Sequence, residues 1–454
     1  MSSPTKNTVT KSSNAGSFRR IFLNLSVFQF LTFLRRGVFY TFMINYLYKL
    51  MQTVTSTATL GTFNMIASAL GQNLLWGKVS DRQKLRTRLI VTGETIAAFA
   101  YLIVFLVHRL IIQAGNNFAA GLTIIIGLSI LEFFWSMSDV GWASLLTDIT
   151  TLEIRGKTVG TLNFIASLGR MVGIIFAGFL YNDGAGFQNG TIFFIVTALL
   201  LTGAAIMTFT SRRIRVESAS SYVRPTQETE TRTDSRTREN GRAYWWFLAC
   251  LMVIVLGTAS VNQIFLLFIS LPAGLNAGDT EMSLILTAWT IGGMFASLAA
   301  GGLVDRIGRM KVIFAALGLA IVTPLLYGLA SDVPTMALVY GVNGVAFWSF
   351  QTGTFALAGD MIPEHKRGRL FGRYNTAIAL SWGPAGILIG GPLADLQYRA
   401  FGVPLHVAFL NAFYTSSIIV ALGTIFFAFF AVRIARKKSL TRTVQVLNQA
   451  KQKS

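Results

Sequence analysis

With one cysteine in 454 residues, the chain has no partner for a disulfide and no thiolate set for a metal. Cys250 stands in an apolar stretch and reads as packing. Histidine is nearly as scarce: His108, His365 and His406 sit at the edges of apolar runs, and no H-E-x-x-H or paired-ligand pattern occurs, so no metal site is expected. The absence of a G-x-x-x-x-G-K-S/T loop argues against an ATP-driven pump and leaves gradients as the energy source. An enzyme would have no catalytic constellation to stand on, and no cofactor is expected. Charge is thin too, at 13% of residues against 53% hydrophobic, with 36 Phe and 42 Gly. That balance lies outside soluble globular composition and makes lipid the expected solvent.

Crossing the hydrocarbon core takes about 20 mostly apolar residues per helix. Runs of that length recur at 21–49, 55–78, 88–109, 119–147, 158–181 and 191–210, then at 244–269, 281–303, 312–330, 334–360, 373–396 and 404–432. The expected fold is therefore all-α and integral to the membrane, with twelve transmembrane helices as two related six-helix bundles. The formal charge of +20 raises the question of nucleic acid. Its distribution answers differently: 33 of the 39 Lys and Arg fall on the N-terminal tail, the even-numbered loops and the C-terminal tail. Such asymmetry is the positive-inside rule and puts both termini in the cytoplasm, in what is expected to be the cell membrane. No soluble basic domain accompanies the charge, so a nucleic-acid role is set aside.

Five segments follow: a cytoplasmic tail at 1–20, a first bundle at 21–210, a linker at 211–243, a second bundle at 244–433 and a cytoplasmic tail at 434–454. No small-residue cleavage pattern follows the first span, so nothing is expected to be removed. The linker is rich in Ser, Thr, Arg and Glu without a large apolar run, the composition of a solvated connector.

Two signatures recur on either side of that linker. Gly77-x3-Asp81-Arg82, followed by Lys84 and Arg86, stands between spans 2 and 3; Gly301-x3-Asp305-Arg306, followed by Arg309 and Lys311, stands between spans 8 and 9. Asp148-x6-Arg155-Gly156 follows span 4, and Asp360-x6-Arg367-Gly368 follows span 10. Together they mark an internal duplication. The pattern resembles the major facilitator superfamily, whose signature is this Gly/Asp/Arg loop, over about residues 20–433. The resemblance implies two six-helix bundles around a central cavity that opens to alternate sides, lined by the first and fourth helices of each half.

The loops also have a physical reading of their own. Gly77 and Gly301 stand where a helix ends and the backbone turns close to its neighbours. Asp81 and Asp305 are carboxylates at helix termini, suited to cap N–H groups and pair with Arg82, Arg86, Arg306 or Arg309. With Asp148, Arg155, Asp360 and Arg367 they form a candidate conformational latch, expected in the seam between the halves, that holds one state and breaks in the other. The alternative is that these basic residues only fix topology.

A charge at bilayer depth costs a few kcal/mol or more, roughly, so each one inside a span is a functional candidate. Span 1 carries Arg35 and Arg36, span 3 Glu94, span 4 Glu132 and Asp139, and span 5 Arg170; the second half has none away from its helix ends. Arg35, Arg36, Glu132 and Arg170 share one depth, and Asp139 lies seven residues beyond Glu132 on nearly the same face. Glu132 and Asp139 are the expected proton-coupling pair, with Arg35 and Arg170 beside them. On span 1, Gln29, Thr32, Arg36 and Tyr40 form a polar stripe, which puts Arg36 on the cavity side and Arg35 toward an internal partner. Glu94, near the cytoplasmic end, is expected to serve the adjacent Arg-rich loop. In the second half Asn262, Gln263, Trp348, Gln351 and Trp382 are candidates to hydrogen-bond and stack on a substrate, joining Arg36, Gln29 and Tyr40. Each is also compatible with plain interhelical packing, and the charged set with a salt-bridge cluster that stiffens the first bundle.

The function expected is secondary active transport of a small organic solute by a monomer in the bilayer, coupled to protons, with an anionic solute favoured by Arg36. Proton-driven drug export is the alternative. Drug antiporters of the superfamily place a Gly-Pro motif on helix 5, whereas here Gly383-Pro384 and Gly391-Pro392 fall on span 11. A non-transporting receptor or scaffold with the same fold is the alternative of another class.

Overall fold

The structure, a computed structural model, describes residues 7–83, 86–150, 152–218, 236–362 and 367–451. Every regular element among them is helical. In lipid no water is present to satisfy N–H and C=O groups, so a helix, which bonds them internally, is what these apolar runs must form. Nine helices among the described residues are long and apolar enough to cross a membrane. Large side chains such as Phe179, Phe295 and Phe429 remain about 70% exposed, as lipid-facing groups do.

Contacts divide the chain into two units: one of residues 1–230, 269–272 and 276–290, the other of 231–268, 273–275 and 291–454. The first contains α1 (Asn7–Tyr40), α2 (Met43–Met51), α3 (Val54–Leu70), α4 (Gly77–Gln83), α5 (Arg86–Gln113), α6 (Asn117–Ile149), α7 (Leu152–Tyr181), the single turn α8 (Ala185–Gln188) and α9 (Thr191–Ser218). The second contains α10 (Arg236–Ala259), α11 (Asn262–Ser270), most of α12 (Asp279–Ile307), α13 (Arg309–Leu326), α14 (Val333–Met361), α15 (Arg367–Trp382), α16 (Gly391–Asp395) and α17 (Leu405–Lys451). Thr53, Asn116 and Asp332 cap α3, α6 and α14, each accepting a bond from the backbone N–H three residues on.

The first span of each half, expected as one helix, is broken. α1 gives way to α2 at Thr41 and Phe42, and α10 to α11 at Ser260 and Val261. At both breaks a hydroxyl takes up a carbonyl from the previous turn: Thr41 Oγ1 donates to the Gly37 carbonyl at 2.5 Å, and Ser260 Oγ to that of Gly257 at 2.7 Å. Ser416 Oγ donates to the same Gly257 carbonyl at 2.8 Å. Hydroxyl donors of this kind are what lets a helix break at membrane depth. Span 11 breaks after Trp382, at the Gly383-Pro384 dipeptide, where proline removes a ladder N–H.

Glycine sets the closest crossing in the first unit. α1 packs along α7, and a Cβ on Gly37 would lie 2.8 Å from the Gly173 Cα. The two backbones therefore touch, which fixes the height of the neighbouring Arg35 and Arg36. At the far end of α7 the turn at Asn182–Gly184 has left-handed φ of 42° and 53° at Asn182 and Asp183. Lys49 of α2 donates to the Asp183 carbonyl at 2.8 Å and pairs with its carboxylate, and the Asp183 N–H donates to Asp279 Oδ2 at 3.0 Å.

Candidate functional site

Three side chains in the first unit, Arg35, Arg36 and Glu94, converge on one indole. Residues 132, 135 and 139 of α6 follow the i, i+3, i+7 spacing of one helix face, and Trp135 on that face is 1% exposed. Its ring centroid lies 4.6 Å from the Arg35 guanidinium carbon and 4.4 Å from that of Arg36. Two cations beside one indole use the attraction of its quadrupole, worth about 0.5–2 kcal/mol each according to how far they are desolvated. The edge of the ring is used as well: Trp135 Nε1 donates to Glu94 Oε1 at 2.9 Å, and Ser138 Oγ donates to the same oxygen at 2.7 Å.

The two arginines differ in setting. Arg35 is 1% exposed, and its Nη1 donates to the Tyr101 hydroxyl at 2.9 Å. Arg36 is 35% exposed at its side chain, and its Nη2 lies 3.8 Å from Oδ2 of Asp139, itself 39% exposed. An ion pair that long and that open to solvent contributes about 0–1 kcal/mol. Arg35 is thus the buried and Arg36 the more open of the two; the partners of Arg35 are a phenol and an indole, and no carboxylate lies within ion-pair distance among the described residues.

Glu94 differs from its expected role. Instead of serving the basic loop it is 1% exposed and held by Trp135 and Ser138 of α6, because α5 and α6 pack closely and Gly93 lets the Met137 and Ser138 region approach. Glu132 is half-buried on α6. Arg170 is exposed on α7, with its guanidinium 5.5 Å from the ring of Trp289, which belongs to the same unit. Gln29 is buried and Tyr40 half-buried on α1.

In the second unit Gln263 of α11 is buried, and its Oε1 has no hydrogen-bond partner among the described residues. Asn262, Trp348, Gln351 and Trp382 are half-buried. Trp348 lies over Gly293, where a Cβ would come 3.0 Å from its Cγ, and Gln351 Oε1 accepts a long bond of 3.4 Å from the Tyr374 hydroxyl. Trp382 packs against the apolar cluster around Phe247, Phe350 and Tyr374.

The repeated loop residues form equivalent pairs. Arg86, at the start of α5, donates to Asp148 Oδ2 at 3.1 Å and to Ser80 Oγ at 2.6 Å; Arg309, at the start of α13, pairs with Asp360 at the end of α14. Both pairs run within a half, joining its third span to its fourth. Gly77 opens α4 half-buried, and Arg306 is exposed. The side chains of Asp81, Arg82, Arg155, Asp305 and Arg367, and Gly301, lie outside the described residues.

Sequence reading missed Trp135, Ser138 and Tyr101, which carry no signal when seen singly among many apolar and hydroxyl residues. It also gave His108 no role beyond a place at the edge of a span. That ring is fully buried, with Nδ1 at 3.2 Å from the Ala120 carbonyl and Nε2 at 2.7 Å from the Tyr46 hydroxyl. A carbonyl only accepts, so Nδ1 carries the hydrogen and Nε2 accepts from Tyr46. A cavity of about 270 Å³ beside it is lined by His108, Arg109, Ile112, Gln113, Gln188 and Asn189 and contains none of the expected site residues.

The sequence profile described as the Major Facilitator Superfamily matches residues 25–273 and 249–451. An uncharacterized MFS-type transporter of Mycobacterium tuberculosis is 30% identical over 135 residues, 29% of this chain and 20% of that protein. The quinolone resistance protein NorA of Staphylococcus aureus is 26% identical over 149 residues, 33% of this chain and 37% of that protein. The matched stretch thus spans well under half the length of either curated relative. The solved structure of an auto-inhibited POT family peptide transporter superposes with a TM-score of 0.68 at 12% identity, covering 91% of this chain and 97% of that one. At that identity the likeness is one of fold.

Proposed function

The chain belongs to the major facilitator superfamily and is a membrane transporter, and we propose that it is a secondary active transporter of a small organic solute, driven by protons through alternating access. The observation that carries the proposal is the Arg36–Asp139 pair, long and half-exposed on the face of Trp135. A solute carboxylate or phosphate would replace Asp139 on Arg36, and the displaced Asp139, beside Glu132 on α6, would then be ready to take a proton. Gln29 and Tyr40 extend that site along α1, and Arg35 and Arg170 add positive charge at the same depth. In the second unit, Asn262, Gln263, Trp348, Gln351 and Trp382 are candidates to hydrogen-bond and stack on a solute. The Arg86–Asp148 and Arg309–Asp360 pairs would brace the third span of each half against its fourth, leaving the neighbouring signature residues to act as the latch that fixes one state. The protein would work as a monomer in the cell membrane, with both termini in the cytoplasm as the basic loops indicate.

A second reading, proton-driven export of drugs, draws support from the likeness to a quinolone resistance protein. Thermal melts of the purified chain separate the two, because a ligand that binds the native state raises its melting temperature. The expected result is a rise with organic anions that disappears in Arg36→Ala. A rise confined to lipophilic cations, and preserved in Arg36→Ala, would refute the anion reading and leave drug export in its place.

A further inference from the structure

The cluster around Trp135 has more acid than base. Its cations are Arg35 and Arg36; its carboxyl groups are Glu94, Glu132 and Asp139. Fully ionised, it would hold one uncompensated negative charge, which costs most at whichever carboxyl is shut off from water and from a cation. One carboxyl is therefore the odd one out, and geometry identifies it. Asp139 has Arg36 at 3.8 Å and access to solvent, and Glu132 is only half-buried. Glu94 is 1% exposed, and among the described residues no cation lies within ion-pair distance of it.

The bonds to Glu94 tell the same story. Both donors, Trp135 Nε1 and Ser138 Oγ, converge on Oε1, and no described donor serves Oε2. An ionised carboxylate away from water favours donors on both oxygens, whereas a carboxylic acid accepts on its carbonyl oxygen and presents an O–H donor on the other. The charged and titratable groups around it come from each packed helix: Arg35, Arg36 and Tyr40 on α1, Tyr101 on α5 itself, and Glu132 and Asp139 on α6. α9, which touches α5 through Thr197 and the Ala98 carbonyl, has no ionisable residue between 191 and 210.

We infer that Glu94 is the buried proton-binding group of this protein, and that Trp135 links its protonation to the anion contact at Arg36. The inference rests on the proton-coupled reading above and moves the loaded proton from the α6 pair to α5. When Glu94 releases its proton, the carboxylate strengthens its bond from the indole N–H and adds negative charge behind the ring that Arg36 covers. That charge holds Arg36 and disfavours an anion. When Glu94 takes a proton, the restraint is relieved and Arg36 accepts an anion, so one proton and one negative charge load together.

Infrared difference spectra of the purified full-length chain, recorded after a pH change, test this without any solute. The expected result is a protonated-carboxyl C=O band that titrates in the wild type, is lost in Glu94→Gln and survives in Asp139→Asn and Glu132→Gln. Glutamine keeps the volume and the accepting oxygen, so a merely structural role would leave the remaining spectrum and the folding of that variant unchanged while still removing no titrating band. In Trp135→Phe the band is expected to persist at higher frequency, because its carbonyl loses one donor. A band that survives Glu94→Gln and is lost instead in Asp139→Asn or Glu132→Gln would overturn the inference and leave proton coupling through α6 intact. No titrating band in any form would overturn both.

Discussion

The contact between α1 and α7 offers a substitution whose sign depends on tertiary structure alone. In an open helix interior, Gly→Ala stabilises by about 0.5–1 kcal/mol, because alanine loses less backbone entropy on folding. At Gly173 the added methyl would lie 2.9 Å from the Gly37 Cα and 3.0 Å from the Val38 nitrogen. Carbon atoms at optimal contact sit about 3.5–4.0 Å apart, so the crossing must open by roughly half an ångström or more. The atoms in the way are backbone, and no rotamer change relieves them. Overpacking costs about 1–3 kcal/mol, with rigid obstacles toward the upper end. After the propensity gain, Gly173→Ala should lose about 1–2 kcal/mol, a fall in melting temperature of about 2–8 °C for a unit of this size. Gly318 is the control: it stands exposed inside α13 with nothing within 4 Å of its Cβ position. Gly318→Ala should melt about 1–4 °C higher. Displacing α1 also moves Arg36, so Gly173→Ala should weaken any thermal shift that depends on Arg36. If both alanine variants stabilise equally in detergent melts, the close crossing does not exist and the placement of Arg36 that depends on it fails.

Other predictions follow from single contacts. Tyr46→Phe leaves the buried Nε2 of His108 without its donor at 2.7 Å and should destabilise by about 1–3 kcal/mol; a variant that melts like the wild type would contradict the pair. A double-mutant cycle on Arg86 and Asp148, where the carboxylate side chain is 53% exposed, should give a coupling of only about 0.2–1 kcal/mol in folding stability; a coupling several times larger would show that the pair is shielded from water. Cys250, 4% exposed, should resist maleimide in the folded chain and react once the chain is denatured, a difference seen as a mass shift. Rapid labelling of the native protein would count against the packing of α10.

Most of the architecture is legible in composition. Runs of about 20 apolar residues can be satisfied in lipid only as helices, and the repeated Gly/Asp/Arg loops declare the duplication. Arg35, Arg36, Glu132 and Asp139 stand out because a charge in an apolar run is expensive wherever it points. The linear chain does not reveal partners. Nothing in the spacing of α5 and α6 says that Glu94 accepts from Trp135 and Ser138, because that bond depends on how two helices rotate and slide against each other. By position alone, Glu94 reads as a neighbour of the basic loop. The breaks at Thr41 and Ser260 are hidden for a similar reason: a hydroxyl in an apolar run looks the same whether it bonds within an intact helix or caps a broken one. Sequence by itself determined which residues are costly in lipid, since transfer energy belongs to the side chain. Only the tertiary structure decided which of those costs are met by a bond and which are left open at Arg36, since that depends on distances between helices that no local pattern encodes.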